Sequence, residues 1–280
     1  MKVERDKYPP AAWRLLNTGY ADGFTNMAID EAIMLTLAKG LAPPTIRFYG
    51  WEPPCLSIGY AQSMEGEVDG DRCRLYGVDC VRRPTGGRAI LHTDELTYSL
   101  CAPQNEPRVS GGVVESYRRL SIGLVLGLQA LGANVAPADT RRGKIEEGTA
   151  ACFDAPSHYE ITVGGKKLVG SAQVRREGVV LQHGSLPLEG DIARIFNYLK
   201  VSSEAERRML GCKLEERATT LERVLGRIVP FPQVAEALAA GFAEALQIKL
   251  VPGELSEREL ALVKELRRGK YVTREWNFGK

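Results

Sequence analysis

The sequence lacks a strong excess of one charge and any long apolar run. Its 280 residues include 37 basic and 35 acidic side chains, which leaves a formal net charge of +2. This balance gives no reason to expect binding to nucleic acid or to a membrane surface. The most apolar stretch, residues 120–133, is broken by glycines and Gln129 and is shorter than the roughly 20 residues of a membrane-spanning helix. We therefore predict no transmembrane segment.

The amino-terminal residues lack a recognisable targeting signal. Residues 1–10 are charged and end in two prolines, without the apolar core of a secretory signal, and no basic amphipathic transit pattern follows them. We therefore expect the chain to stay in the cytoplasm.

Paired cysteine motifs are also absent. The six cysteines form neither a Cys-x-x-Cys pair nor a Cys/His spacing of the zinc type: Cys55, Cys73, Cys80, Cys101, Cys152 and Cys212. We predict no metal site, and in a reducing compartment we expect free thiols. Most free cysteines are small buried hydrophobes, so a catalytic role for any one of them must be argued from the residues around it.

Three apolar stripes at helical spacing predict amphipathic helices. They consist of Met27, Ile33, Met34 and Leu37, then Val113, Tyr117, Leu120, Leu124, Leu128 and Leu131, and then Val234, Leu238, Phe242 and Leu246. We expect Thr25 or Asn26 to cap the first helix, whose first turn would carry Asp30 and Glu31, and Gly132 to end the second. Capping-box spacing predicts three further helix starts, at Ser203/Glu206, Thr219/Glu222 and Ser256/Glu259.

Strands are predicted from short alternating or β-branched runs bounded by turn residues. The runs cover residues 45–49, 56–60, 78–82, 95–101, 159–163, 166–172 and 179–186. Gly164-Gly165 suits a type I′ hairpin turn, and Glu177-Gly178 precedes the last run, so the final three runs predict an antiparallel meander. Helices and strands are mixed instead of strictly alternating. We therefore predict an α+β fold with a mixed or antiparallel central sheet flanked by helices.

One glycine-rich segment between two predicted strands could bind a ligand. It reads Arg-Arg-Pro-Thr-Gly-Gly-Arg-Ala-Ile-Leu-His over residues 82–92. Adjacent glycines let backbone amides approach an electron-rich group closely, and flanking arginines can fix an anionic or carbonyl-bearing ligand. Taken alone, such a Gly-Gly pair is more often a simple turn, and His92 is more often structural than catalytic.

Two further segments place reactive side chains among small residues. Cys152 lies in Ala-Ala-Cys-Phe-Asp-Ala-Pro-Ser, residues 150–157, a stretch rich in turn formers. Lys167 lies in a predicted strand, on the face opposite Leu168, with Gly170 and Ser171 just beyond it. Without other context, a strand lysine is more often solvated than bound to a ligand.

Together, in this order and spacing, the three segments resemble the lipoate/biotin protein ligase superfamily. Within it, the chain is most similar to the bacterial octanoyltransferases that act on the H protein of the glycine cleavage system. Residues 26–31, 47–51 and 276–278 match the same group, so the resemblance spans nearly the whole chain. It implies a catalytic domain of the biotin/lipoate ligase type over residues 1–250, with a C-terminal helical extension, 251–280, packed on it.

The resemblance also implies roles for individual residues. Cys152 matches the acyl-accepting nucleophile, and Lys167 matches a lysine that contacts the acyl carbonyl or lowers the pKa of the thiol. The implied substrate-binding residues are Arg83, Gly86, Gly87, His92, Gly170 and Ser171. His158 departs from the pattern, because an aromatic residue is expected there.

The implied reaction takes octanoyl from octanoyl-acyl carrier protein and passes it to a lysine of the H protein, or of another lipoyl domain. The donor is already a thioester, so exchange onto a cysteine needs no ATP and no cofactor. The acceptor lysine must lose a proton, and the sequence does not identify the base, for which His92 is one candidate. Six basic residues could form a docking surface for an acidic carrier protein: Arg82, Arg118, Arg119, Arg141, Arg142 and Lys144.

Three alternatives compete with this interpretation. An ATP-dependent lipoate protein ligase would share the glycine loop and the lysine, but it has no need of a nucleophile at Cys152. A biotin ligase would carry a Gly-Arg-Gly-Arg type of loop, which is absent. A non-catalytic acyl- or carrier-binding module would not need to keep both Cys152 and Lys167. The sequence therefore favours the transferase.

Overall fold

A computed structural model describes residues 8–137 and 161–279 of the protein. The strands are β1 (Ala11–Ala21), β2 (Thr45–Trp51), β3 (Cys55–Ile58), β4 (Asp79–Arg82), β5 (Ile90–His92), β6 (Glu95–Pro103), β7 (Ala136–Pro137), β8 (Ile161–Val163), β9 (Lys166–Arg176), β10 (Val179–Pro187) and β11 (Ile248–Pro252). The helices are α1 (Gly23–Ala38), α2 (Met64–Glu67), α3 (Gly70–Leu75), α4 (Val113–Ala130), α5 (Glu204–Arg217), α6 (Leu221–Leu225), α7 (Phe231–Leu246), α8 (Glu257–Leu266) and α9 (Arg274–Phe278). A 3-10 helix, Ile192–Asn197, and a π-helical turn, Arg267–Tyr271, complete the elements.

The described strands form two sheets. The larger has eight strands in the order β11-β1-β2-β6-β10-β9-β8-β7, and the smaller has three in the order β4-β3-β5. In the larger sheet β1 runs parallel to β2 and β11, whereas β2, β6, β10 and β9 pair antiparallel. The predicted α+β class with a mixed sheet is therefore confirmed.

The two faces of the larger sheet differ in chemistry. Along β6, Leu96, Tyr98 and Leu100 belong to a fully buried apolar cluster that is covered by α4 and α7. The alternate residues Thr97 and Ser99 form hydrogen bonds on the other face, toward α1. Because strand side chains alternate, β6 contributes apolar side chains to the main core and polar side chains to a buried layer on the other face.

Helices α4 and α7 pack closely over the apolar face. A Cβ atom added to Gly241 would lie 2.3 Å from the carbonyl oxygen of Gly123 and 2.5 Å from the amide nitrogen of Gly127, so the two backbones touch. The predicted stripe on α7 is confirmed, since all four of its residues are buried. The α4 stripe is confirmed except at Val113, which is 51% exposed in the first turn.

The sequence misplaced two helix starts. Asp22 caps α1, because its carboxylate accepts a hydrogen bond from the Thr25 amide at 2.7 Å. The predicted cap Asn26 lies inside the helix. Thr220, one residue after the predicted Thr219, caps α6, whereas Ser203 and Ser256 act as N-caps as predicted. More than one residue suited to capping lies near each start, Asp22 and Thr25 at the first and Thr219 and Thr220 at the second, so only the path of the chain decides between them.

The predicted meander is confirmed by β8, β9 and β10. Gly164 and Gly165 have φ values of 57° and 81°, the positive pair that a type I′ turn requires. Glu177 and Gly178, at 51° and 72°, form the second turn. Strand β1 was not predicted at all, because its alternation of apolar and polar residues is weak.

The C-terminal region contacts both the sheet and α1. Strand β11 pairs with β1 in register Ala11↔Ile248, and it crosses the expected domain boundary between residues 250 and 251. Further on, the Tyr271 hydroxyl and the Lys270 ammonium both bind Glu31 of α1. The division into 1–250 and 251–280 stays a prediction. Over the described ranges, no helix has the length and apolarity to cross a membrane.

Candidate active site

A cavity of about 230 Å³ lies between the two sheets. The polar face of the larger sheet and the start of β9 form one wall, and the smaller sheet with the glycine-rich segment forms the other. Six residues singled out from the sequence line it: Arg83, Gly87, His92, Lys167, Gly170 and Ser171. Gly86 is exposed beside the cavity but does not line it, and Cys152 lies outside the described residues.

Lys167 forms part of the cavity wall. It is only 4% exposed, so the alternative of a solvated strand lysine is wrong. Its backbone carbonyl accepts a hydrogen bond from the Thr219 amide at 2.9 Å, while the next residue, Leu168, is buried in the main core. The position of β9 thus brings an ammonium group to the cavity, where it can bind a carbonyl oxygen or a thiolate.

Arg83 holds the glycine-rich segment in shape. Its guanidinium donates to the carbonyl oxygens of Gly86 at 2.9 Å and Arg88 at 2.7 Å. Gly87 has a φ of 93°, and its carbonyl oxygen would lie 1.9 Å from a Cβ atom at Gly59, so the segment touches the backbone just after β3. These contacts hold the segment where Gly87 and Arg88 line the cavity.

Arg82, expected on a docking surface, is fully buried, and that expectation is wrong. Its guanidinium donates to the carbonyl oxygens of Tyr60 at 2.8 Å, Gln62 at 2.6 Å and Asn277 at 2.8 Å. Arg82 therefore ties the glycine-rich segment to the C-terminal helix. Of the other residues of the expected surface, Arg118 is exposed, Arg119 donates to backbone carbonyls of the loop before α4, and the remaining three lie outside the described residues.

A chain of hydrogen bonds joins Ser57, His92 and Glu95 in the cavity wall. The Ser57 Oγ lies 2.7 Å from His92 Nε2, and His92 Nδ1 lies 2.7 Å from a Glu95 carboxylate oxygen. Trp51 stacks on the imidazole with ring centroids 3.9 Å apart. Burial raises the pKa of Glu95, but His92 and the two hydroxyls that bind the carboxylate hold it below its usual value. Glu95 is therefore a buried carboxylate ion at neutral pH.

A second chain of the same kind joins Thr85, His183 and Asp30. The Thr85 Oγ1 lies 2.6 Å from His183 Nε2, and His183 Nδ1 lies 3.4 Å from Asp30. Arg47 pairs with the same carboxylate at 2.7 Å. Burial raises the pKa of Asp30, but Arg47 and His183 bring it below its usual value, whereas burial lowers the pKa of His183.

Comparison with known proteins agrees with this architecture. The family model described as the lipoyl protein ligase A/B catalytic domain matches residues 22–243. The chain belongs to that family.

Curated relatives within the lipoyl protein ligase A/B family are bacterial octanoyltransferases. The octanoyltransferase LipM of Moorella thermoacetica is 50% identical over 269 residues, which cover 96% of this chain and 98% of the relative. The octanoyltransferase LipM of Symbiobacterium thermophilum is 47% identical over 272 residues, again with 96% and 98% covered. The resemblance stated from the sequence motifs is therefore confirmed.

Two solved structures that the chain resembles are lipoate protein ligases. A bipartite lipoate protein ligase from Thermoplasma acidophilum superposes with a TM-score of 0.81 at 29% identity, covering 96% of this chain and 97% of that one. Lipoate-protein ligase A bound with ATP gives a TM-score of 0.77 at 28% identity, covering 97% and 99%. Proteins named octanoyltransferases and proteins named lipoate protein ligases thus both resemble this chain.

The sequence analysis does not single out Ser57 and His183, which line this lipoyl ligase-type cavity, or Glu95 and Asp30, which hydrogen-bond its histidines. It predicts Asp30 in the first turn of a helix, but α1 begins at Gly23 and Asp30 lies on its buried face. An available signal was the presence of charged residues at core-facing positions, such as Arg47 and Glu95 within apolar strands. Among the described residues, no group of three or more His, Cys, Asp and Glu side chains could hold a metal ion.

Proposed function

We propose that this protein transfers an octanoyl group from octanoyl-acyl carrier protein to a lysine of the glycine cleavage H protein, through a thioester on Cys152 and without ATP. The observation that carries the proposal is the combination of a buried lysine, Lys167, in a cavity between the sheets with octanoyltransferase relatives that match 96% of the chain. The location proposed with it is the cytoplasm.

In the first step, the thiolate of Cys152 attacks the donor carbonyl and the carrier thiol leaves, so that one thioester replaces another. A free thiol with a pKa of about 8.5 is mostly protonated at neutral pH, and a nearby ammonium favours the thiolate. We assign that ammonium to Lys167. Support for Cys152 comes from its sequence motif, because the residue lies outside the described ranges.

The tetrahedral intermediate of each step needs hydrogen-bond donors at its oxygen. Lys167, Gly87 and Gly170 line the cavity, and we propose that the Lys167 ammonium supplies one of these donors. Loss of one such donor costs roughly 3 kcal/mol in other enzymes. Arg83 contributes by holding the Gly86-Gly87 segment, since its N–H groups bind the carbonyl oxygens of that segment.

The acyl chain offers only methylene groups for recognition, at about 0.8 kcal/mol for each one buried. Met27, Trp51 and Ile90 give the cavity apolar surface for such a chain. We propose that these side chains contact the octanoyl group. The acceptor is a lysine of the H protein or of another lipoyl domain, and we favour the H protein because the motifs match the octanoyltransferases that act on it.

The mechanism can be tested by intact-mass spectrometry after incubation with octanoyl-acyl carrier protein without ATP. We expect an octanoyl adduct that hydroxylamine removes and that Cys152→Ala abolishes. Cys212→Ala is the matched control, because Cys212 is the exposed thiol among the described cysteines, and this variant should keep the adduct. An adduct that survives Cys152→Ala, or no adduct at all, would refute the thioester mechanism.

An ATP-dependent ligase is the second candidate, and the ligase identity of the solved neighbours favours it. Lipoate-dependent exchange between ATP and pyrophosphate measures that activity directly. We expect no exchange above background. Exchange that persists in Cys152→Ala would instead establish adenylate chemistry in this cavity.

A further inference from the structure

The amide-forming step needs a base, and the first of the two hydroxyl–imidazole–carboxylate chains contains one next to the cavity. We infer that Ser57, His92 and Glu95 form a proton relay, in which His92 takes up the proton that the acceptor lysine loses. This inference rests on the proposed function and adds to it the group that completes the second step.

The hydrogen-bond partners of Ser57 and His92 allow a proton arrangement in which His92 can act as a base. Arg83 can only donate, and its Nη1 lies 3.1 Å from the Ser57 Oγ, so the Ser57 oxygen accepts there. In the proposed relay the Ser57 O–H donates to His92 Nε2, 2.7 Å away. The Glu95 carboxylate can only accept, so His92 carries its proton on Nδ1. In the relay, Nε2 is the ring atom that accepts the proton.

Charge balance distinguishes His92 from the second histidine of the cavity. No arginine or lysine in the described ranges forms an ion pair with Glu95, whose partners are His92 and the hydroxyls of Thr97 and Ser185. Protonation of His92 would give this buried anion its counterion. Asp30 behind His183 is already neutralised by Arg47, so a proton there would add an unbalanced positive charge.

The packing around the relay also suits proton transfer. Trp51 stacks on the ring at 3.9 Å and holds the plane in which both ring nitrogens meet their partners. Ser57 and His92 line the cavity, yet Ser57 has no solvent-exposed surface and His92 is 4% exposed. A proton on the relay is thus screened from bulk water while the acceptor is bound.

The proposed relay moves one proton from the acceptor lysine to the leaving sulfur. The neutral lysine amine attacks the acyl carbonyl, and the new C–N bond leaves a positive charge on nitrogen. That nitrogen gives a proton to the Ser57 oxygen as Ser57 gives its own to His92 Nε2. The C–S bond then breaks, the electron pair leaves with sulfur as a thiolate, and the imidazolium returns the proton to the thiolate through Ser57.

The charged and titratable groups around His92 set the pH dependence of this step. They are Glu95 of β6, Arg83 and Arg88 of the glycine-rich segment, Lys167 of β9, His183 of β10 and Tyr49 of β2. Glu95 is the anion in direct contact with the ring. In Glu95→Gln the ring loses this anion, which disfavours the imidazolium. The pH–rate profile of amide formation should therefore rise at lower pH.

Single-turnover kinetics can separate the two half-reactions. Octanoyl-enzyme is formed from octanoyl-acyl carrier protein, isolated, and mixed with H protein. For His92→Gln we expect acyl-enzyme formation to stay close to the wild-type rate, and amide formation to fall about 10²- to 10⁴-fold, the usual contribution of a general base. Glu95→Gln should shift the rising limb of amide formation to lower pH.

Three further variants keep the test independent of folding defects. Ser57→Ala should slow amide formation with the imidazole still present, and Ser57→Thr, which keeps the hydroxyl, should restore it. His183→Gln is the control for the second chain. Because His183 hydrogen-bonds Thr85 and Asp30 and not His92, the rising limb should move less in this variant than in Glu95→Gln. A circular dichroism melt of each variant verifies that the fold is intact.

Two results would overturn the relay. One is amide formation by folded His92→Gln and Ser57→Ala at the wild-type rate. The other is an equal loss in both half-reactions, which would show that the residues only shape the cavity. If wild-type enzyme forms no acyl adduct, the proposed function fails and the relay fails with it, and that result is distinct because it appears without any substitution.

Discussion

Arg47 and Asp30 form an ion pair with an N–O distance of 2.7 Å in which neither side chain is exposed to solvent. Asp30 lies on α1 and Arg47 on β2, so the pair joins the helix to the polar face of the larger sheet. The same carboxylate accepts hydrogen bonds from Tyr49 and Ser99 and contacts His183 in the cavity wall. The site is thus built on a buried charged centre as well as on an apolar core.

Removing the charge of Asp30 should strongly destabilise the protein. Asp30→Asn leaves the Arg47 guanidinium buried without a counterion, which typically costs about 3–5 kcal/mol. The free energy of unfolding from urea titration measures this. Asp71→Asn is the control, because Asp71 pairs with Arg74 at the surface with both side chains largely exposed, and it should cause no measurable loss. Equal effects of the two substitutions would contradict the prediction.

His183 should make stability depend on pH below neutrality. Burial lowers the pKa of the folded His183 below the 6.5 of an ordinary histidine. As the pH falls through 6.5, the unfolded chain therefore binds a proton that the folded chain does not, and stability decreases. We expect His183→Gln to lose less unfolding free energy than wild type between about pH 7.5 and 5.5. An unchanged slope over that range would show that His183 is protonated equally in both states.

Lys167 should matter for formation of the acyl-enzyme. Lys167→Met removes an ammonium from the cavity wall, and we expect the rate of octanoyl-adduct formation to fall about 10²- to 10³-fold, the range found for the loss of one oxyanion donor. Lys166→Met is the matched control, because Lys166 is exposed and donates to the Glu215 carbonyl. A similar loss in both variants would mean that general charge, and not the cavity lysine, supports the reaction.

Substitutions at two glycines can separate the shape of the glycine-rich segment from contact with substrate. In Gly59→Ala the added Cβ would lie 1.9 Å from the Gly87 carbonyl oxygen, so the segment must move, and activity and thermal stability should both fall. In Gly86→Ala the added Cβ meets no atom within 4 Å, so stability should hold. A loss of activity in Gly86→Ala would then report contact with substrate, while full activity would remove Gly86 from the substrate-binding residues.

Local signals in the sequence determined much of the secondary structure. The stripe from Val234 to Leu246 specified α7, and the paired turns at Gly164-Gly165 and Glu177-Gly178 specified the meander, because helical period and positive φ act within a few residues. The motifs around Arg83 and Lys167 also predicted that distant segments meet at one site. That prediction rested on the resemblance of the motifs to a known family, and no local propensity could have supplied it.

Only the tertiary structure decided which polar groups are partners. Ser57, His92 and Glu95 come from three strands, and their pairing depends on the position of the small sheet against the larger one. Arg82, which looks like a surface residue in the sequence, is buried because carbonyl oxygens of a loop and of the C-terminal helix converge on it. The sequence by itself therefore determined the elements and the family. The tertiary structure decided the hydrogen-bond partners, because a buried polar group is satisfied by whatever the fold brings within reach.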